Sequence, residues 1–185
     1  MEAKKAMWKY IRDSYLEQYG DELPAYLREF IASLEKIEGP HENPTAKEIE
    51  EEEYGPRILE DEESEDLGVD SDVALFKLMH VFGMPTIFML YEAQFSLFGY
   101  MFEYKGCLFL VSDFRGGTFV DAYAYKRKVR DKTTIGIAME FIYRMRKFLT
   151  KEIPLNYDDK VYYSGEGEFS YEERAEELEE EDLEG

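Results

Sequence analysis

The sequence predicts an α+β protein: an antiparallel β-meander of three to five strands packed against three to four helices, with an acidic internal linker and an acidic C-terminal tail. Three observations lead there. Apolar residues recur at three- and four-residue spacing in the first 40 residues, again after residue 70, and again after residue 133. Between the last two, residues 96–126 change to short runs rich in Phe, Tyr and Val, broken by turn residues. Acidic side chains, finally, gather in two stretches instead of spreading along the chain.

In chain order, residues 3–19 form the first expected helix, with Met7, Trp8, Ile11, Tyr15 and Tyr19 on one stripe. Gly20 ends it. Asp21, Glu22 and Pro24 read as the start of a second helix, since acids favour the positive end of the dipole and proline suits the first turn. Its buried face is Leu27, Phe30, Ile31, Leu34 and Ile37, and Gly39-Pro40 stops it. Residues 41–68 hold too few apolar groups to offset chain entropy and read as a mobile linker, with a transient helix near residues 46–53. Asp70, Ser71 and Asp72 form an N-cap cluster for a helix carrying Leu75, Phe76, Leu78, Met79 and Phe82, closed by Gly83-Met84-Pro85.

Three strands follow at residues 96–104, 107–113 and 118–126, joined by Tyr104-Lys105-Gly106 and by Phe114-Arg115-Gly116-Gly117. In the third, Val120, Ala122 and Ala124 alternate with Phe119, Asp121, Tyr123 and Tyr125, so one face packs and the other stays partly wet. Residues 86–94 offer a fourth strand or a helix. Thr133 or Thr134 caps a last long helix with Ile135, Ala138, Met139, Ile142, Met145, Phe148 and Leu149 on its packed face, ended by Pro154. Residues 160–164 suggest an edge strand, and Ser170-Tyr171-Glu172-Glu173 resembles a capping box. The expected organisation is a helical pair at 1–40, the linker at 41–68, a body at 69–164 forming one domain with 1–40, and the tail at 165–185.

The 185 residues suffice for one core burying roughly two-thirds of the unfolded surface. The single cysteine, Cys107, excludes an intrachain disulfide framework and, with a charged N-terminus that lacks a secretory pattern, fits a cytoplasmic location. The apolar run at 85–102 has Glu92 and Gln94 near its centre, which argues against a membrane span.

The net charge of −20 is unevenly placed. Residues 42–72 hold 14 acidic and 2 basic side chains, and residues 166–185 hold 11 and 1, which leaves 17 acidic and 19 basic elsewhere. Residues 126–151 alone hold nine cations against Asp131 and Glu140. The leading expectation is a non-catalytic interaction or regulatory protein whose acidic segments engage a basic protein surface, including that of a nucleic-acid-binding protein it would inhibit. Glu50, Glu51, Glu52, Glu53, Glu60, Asp61, Glu62, Glu63, Glu179, Glu180, Glu181 and Asp182 would make that contact.

A second expectation is a nucleic-acid-binding module restrained by its own acidic tail. Tyr123, Tyr125, Lys126, Arg127, Lys128, Arg130, Arg144, Lys147 and Lys151 would serve there, rings stacking on bases and cations meeting phosphates. A third is a metal-dependent hydrolase or nuclease using Asp113 and Asp121 on neighbouring strands. His41, His80 and Cys107 are too scattered to ligate a metal together, and no cofactor motif is present, so the balance leans away from an enzyme. Exposed aromatic strand edges leave room for a homodimer.

Overall fold

The computed structural model describes residues 2–38, 41–42, 55–59, 64–88, 98–114, 116–129 and 131–155. Among these, the helices are α1 (Glu2–Tyr19), α2 (Ala25–Ser33), α3 (Ser71–Phe82) and α4 (Lys132–Thr150). The strands are β1 (Glu35–Lys36), β2 (His41–Glu42), β3 (Glu65–Asp70), β4 (Ile87–Phe88), β5 (Gly99–Tyr104), β6 (Cys107–Phe114) and β7 (Gly117–Tyr123). The α+β class and its antiparallel meander stand. Residues 1–154 make one compact unit; a second comprises residues 155–185, of which only Leu155 is described. The expected linker helix, the edge strand at 160–164 and the tail helix lie outside the described residues, as does most of the segment 86–94.

Trp8, Ile11 and Tyr15 of α1 are buried on one stripe, while Met7 at its margin remains exposed. A short 3-10 turn, Gly20–Glu22, separates it from α2. Pro24 stands just before α2, and its carbonyl accepts from the amides of Leu27 (3.0 Å) and Arg28 (3.1 Å). The helix does not continue to Ile37 as the spacing predicts. Leu34 turns extended, and residues 35–36 add to the edge of β5, where the Ile37 amide donates to the Met101 carbonyl at 2.8 Å. An open strand edge satisfies backbone groups that one more helical turn would leave to solvent.

The sheet runs β3-β7-β6-β5, with β1 and β4 both pairing the far edge of β5 and β2 lying parallel to β4. Strands β5 to β7 are the meander. The β5–β6 turn has Lys105 at φ 49° and Gly106 at φ 83°, the pair of positive angles that a two-residue hairpin requires. Strand β3 begins at Glu65, inside the stretch that composition marks as linker. Leu67 and Val69 supply its buried side, and Glu65 and Asp66 pair with Val120 and Phe119 of β7. From β3 at one edge the chain passes through α3 to β4 at the other.

Asp70 caps α3, its carboxylate accepting from the Asp72 amide at 2.9 Å. Asp131, not Thr133 or Thr134, caps α4, accepting from the Thr133 amide at 3.1 Å. An aspartate one turn earlier already offers a charged acceptor to the free amides, so the threonines sit inside the helix. The packed face of α4 is also displaced from the expected one. Ile137, Ala138, Phe141, Ile142, Met145, Phe148 and Leu149 are buried, whereas Ile135 and Met139 are exposed.

Register assigns the two sheet faces. Tyr100, Phe102, Tyr104, Phe109, Val111, Val120 and Ala122 share one face, toward the helices; Phe109 stacks on Phe141 of α4 at 3.8 Å, and Phe102 meets Phe82 of α3 at 4.9 Å. The other face gathers Ile87, Met101, Leu108, Leu110 and Tyr123 into a second cluster. Tyr123 is therefore buried, while Asp121 and Tyr125 on the same side of the strand keep that face partly wet. Among the described residues no helix is long and apolar enough to cross a membrane.

Candidate functional site

The sequence singles out residues 123–151 as the place where cations and rings concentrate, and the fold sets the segment after β7 against the start of α4. After β7 the chain turns beside the β5–β6 hairpin, with the Lys126 amide donating to the Gly106 carbonyl at 2.8 Å. Arg127 then reaches the start of α4, donating to the Thr134 hydroxyl at 3.3 Å and lying 3.9 Å from the Asp131 carboxylate. Helix α4 carries the remaining cations back along the molecule.

Four of the nine cations, Lys126, Arg127, Arg144 and Arg146, meet carboxylates. Lys126 donates to Glu103 across the sheet end at 2.8 Å, which raises its pKa. Glu140 receives the Tyr104 hydroxyl at 2.8 Å, the Lys105 ammonium at 3.0 Å and the Arg144 guanidinium at 3.2 Å. Burial alone would lift the Glu140 carboxyl, but the bonds from Tyr104 and Lys105, with Arg144 beside them, hold it below its ordinary value. Burial and the same carboxylate push the Tyr104 hydroxyl upward. Arg146 reaches β3, donating to the Asp66 carbonyl at 2.9 Å and to Glu65 at 3.4 Å.

Two of the remaining lysines lie on rings. Lys147 sits 5.5 Å from the centre of Tyr143, and Lys151 sits 5.5 Å from Tyr26 while donating to its hydroxyl at 3.3 Å. Lys128 is exposed, and Arg130 lies outside the described residues. Tyr125 is exposed under Lys126, but Tyr123, 1% exposed, offers no face on which a base could stack.

Asp113 and Asp121 are not brought together. Asp113 faces the helices, 3% exposed, and accepts from the Phe98 amide at 2.9 Å. Asp121 pairs in register with Leu110 and faces the opposite side, where it binds Arg57 and accepts from the Ser64 hydroxyl at 2.9 Å. The hairpin itself carries the signal for this. With Phe114 opposite Gly117, the partner of Asp121 is Leu110, an odd number of residues from Asp113, so the two must point to opposite faces. Among the described residues no three His, Cys, Asp or Glu side chains are grouped to hold a metal ion.

His80 is buried on α3, edge-on to Tyr15 at 6.3 Å. Cys107 is buried in β6, where loss of water raises its thiol pKa despite Arg127 nearby. The partner-binding acids Glu50 to Glu53, Glu60 to Glu63 and Glu179 to Asp182 all lie outside the described residues.

Sequence reasoning missed the acids that matter inside the body: Glu65, Glu103 and Glu140, each opposite a cation distant in sequence. It also missed Arg57, whose position in an acidic stretch hid its role. Comparisons with protein-family models, curated proteins and solved structures found no match for this chain. The geometry thus defines a class and no more: an α+β body in which four cations of the basic stretch are matched from within.

Proposed function

We propose that this is a non-catalytic interaction or regulatory protein whose acidic segments engage a basic surface on a protein partner, including one that normally holds nucleic acid. The observation that carries the reading is charge segregation: 25 of the 42 acids occupy residues 42–72 and 166–185. The ion pairs of Lys126, Arg127 and Arg144 support it, because acids outside the two segments already meet those cations, while Arg146 takes Glu65 from within residues 42–72. The same pairs, with the burial of Tyr123, count against nucleic acid as this chain's own ligand.

Deleting residues 42–72 would remove β3 and the cap of α3, so the test neutralises charge instead. Glu50 to Glu53 and Glu60 to Glu63 become Gln or Asn, and a second variant does the same at 179–182. Partners recovered on the wild-type chain at low salt should bind the variants about tenfold more weakly or worse, with a shallower salt dependence. Unchanged affinity and an unchanged salt slope in both variants would sink the reading.

A further inference from the structure

Helix α4 has two apolar faces, and only one of them serves the core. Phe141, Met145, Phe148 and Leu149 pack inward, 0% exposed. On the outer face Ile135, Met139 and Tyr143, at successive four-residue steps, are 46%, 57% and 57% exposed. Helical geometry puts Lys132, Arg146 and Lys147 on the same face. The acids beside it are already held, Glu140 at the rim by Lys105 and Arg144 and Glu65 of β3 by Arg146. The face is thus apolar along its middle and positive around it.

Gly136 adds an independent observation. It sits exposed in the second turn of α4, beside Ile135 and one turn before Met139 and Glu140, and a Cβ built on it would meet nothing within 4 Å. A glycine inside an exposed helix costs stability relative to alanine, and no neighbour in the fold requires it. What it provides is a notch that lets another chain approach the helix backbone closely.

From these features we infer that the outer face of α4 is a docking site for an acidic amphipathic helix of a partner protein. Its apolar side chains lie along Ile135, Met139 and Tyr143, its carboxylates face Lys132 and Lys147, and its backbone closes over Gly136. Charge complementarity selects this occupant over a second copy of the same face, since two such faces would bring lysine against lysine. Three apolar side chains in the middle of the face select a polypeptide over a phosphate backbone. The inference goes beyond the function proposed above and does not rest on it.

The test uses the full chain and a synthetic amphipathic helical peptide of about three heptads, Leu on one face and Glu elsewhere, with a twin carrying Lys for every Glu. The Glu peptide should bind at low salt and shift the methyl resonances of Ile135 and Met139, and the Lys twin should not. Joint Met139→Ala and Tyr143→Ala should weaken binding by about tenfold, whereas Met7→Ala and Tyr10→Ala, exposed on α1, should leave it unchanged. Gly136→Ala separates docking from folding, because it should raise Tm while weakening the peptide. The inference fails if no binding occurs, if the Lys twin binds equally, or if the shifts map to α1. It fails equally if Gly136→Ala leaves affinity intact, or if a single-stranded oligonucleotide displaces the peptide from the same methyls at lower concentration.

Discussion

The two faces of the sheet are held in different ways. Toward the helices, Tyr100, Phe102, Tyr104 and Phe109 meet Phe30, Phe82 and Phe141 in a continuous set of ring contacts. On the other side an aliphatic cluster of Ile87, Met101, Leu108 and Leu110 gives way to a polar anchor, Asp121 bound by Arg57 and Ser64. Ring packing fixes how the helices sit by shape, and any lost volume is felt. The anchor fixes by charge where residues 56–58 lie along β7, helped by the Ile58 amide donating to the Ala122 carbonyl at 2.8 Å. It fails when one partner is left unpaired.

The largest expected effect sharpens that contrast. Phe141 touches Phe30, Phe102, Tyr104 and Phe109 and is 0% exposed, so Phe141→Ala should cost about 3–5 kcal/mol in urea unfolding. Leu110→Ala on the opposite face should cost less, about 2 kcal/mol, because Leu110 lies at the margin of its cluster. Equal costs would mean that the two faces are packed alike and the distinction is only one of residue type.

The contrast also shows what the sequence could express. Helix α3 is legible because its cap, its apolar positions and its closing glycine all agree: Asp70 binds the Asp72 amide, and Gly83 takes φ 76°. The Lys105-Gly106 hairpin is legible for the same reason. Strand β3 is not, since Leu67 and Val69 stand among Glu65, Asp66 and Asp70, and composition hides a two-residue period that only β7 gives meaning to. Nor is the inner face of α4, where Ile135 and Met139 extend the apolar pattern beyond the core. The pairing of the cations was invisible for a further reason: Lys105 and Glu140 are 35 residues apart, and only the fold makes them neighbours.

The polar anchor gives the next effect in size. Asp121→Asn removes the charge that faces Arg57, and Arg57→Met removes the cation. Each should cost about 1–3 kcal/mol, because both groups are largely sheltered from water. The double variant should recover part of the sum, since neither charge is then left alone. Strict additivity would show that the two side chains do not stabilise each other, and the second face would lose its anchor.

Lys36 breaks the contrast and gives the smallest effect. Its register with Phe102 places it on the ring-bearing face, where it is 5% exposed and burial lowers its pKa from 10.5 to about 8, with Glu38 opposing the shift. Below about pH 8 the ammonium is charged in both folded and unfolded chains, and its burial penalty is felt in full. Between about 8 and 10.5 the unfolded chain holds the proton that the folded chain has released, so this group's contribution to stability rises with pH. Lys36→Met should therefore stabilise the protein at pH 7 by about 1 kcal/mol, or about 2–4 °C in Tm, the gain being limited because Glu38 loses its neighbouring cation. The advantage of the variant should shrink toward pH 10. Buried Tyr15 resists ionisation, so above its ordinary pKa it lowers stability as pH rises, in wild type and variant alike. The difference between the two proteins isolates Lys36. A gap that stays constant from pH 7 to 10 would mean that the lysine keeps its proton in the folded state, and that the ring-bearing face admits a charge the other face holds only through Arg57.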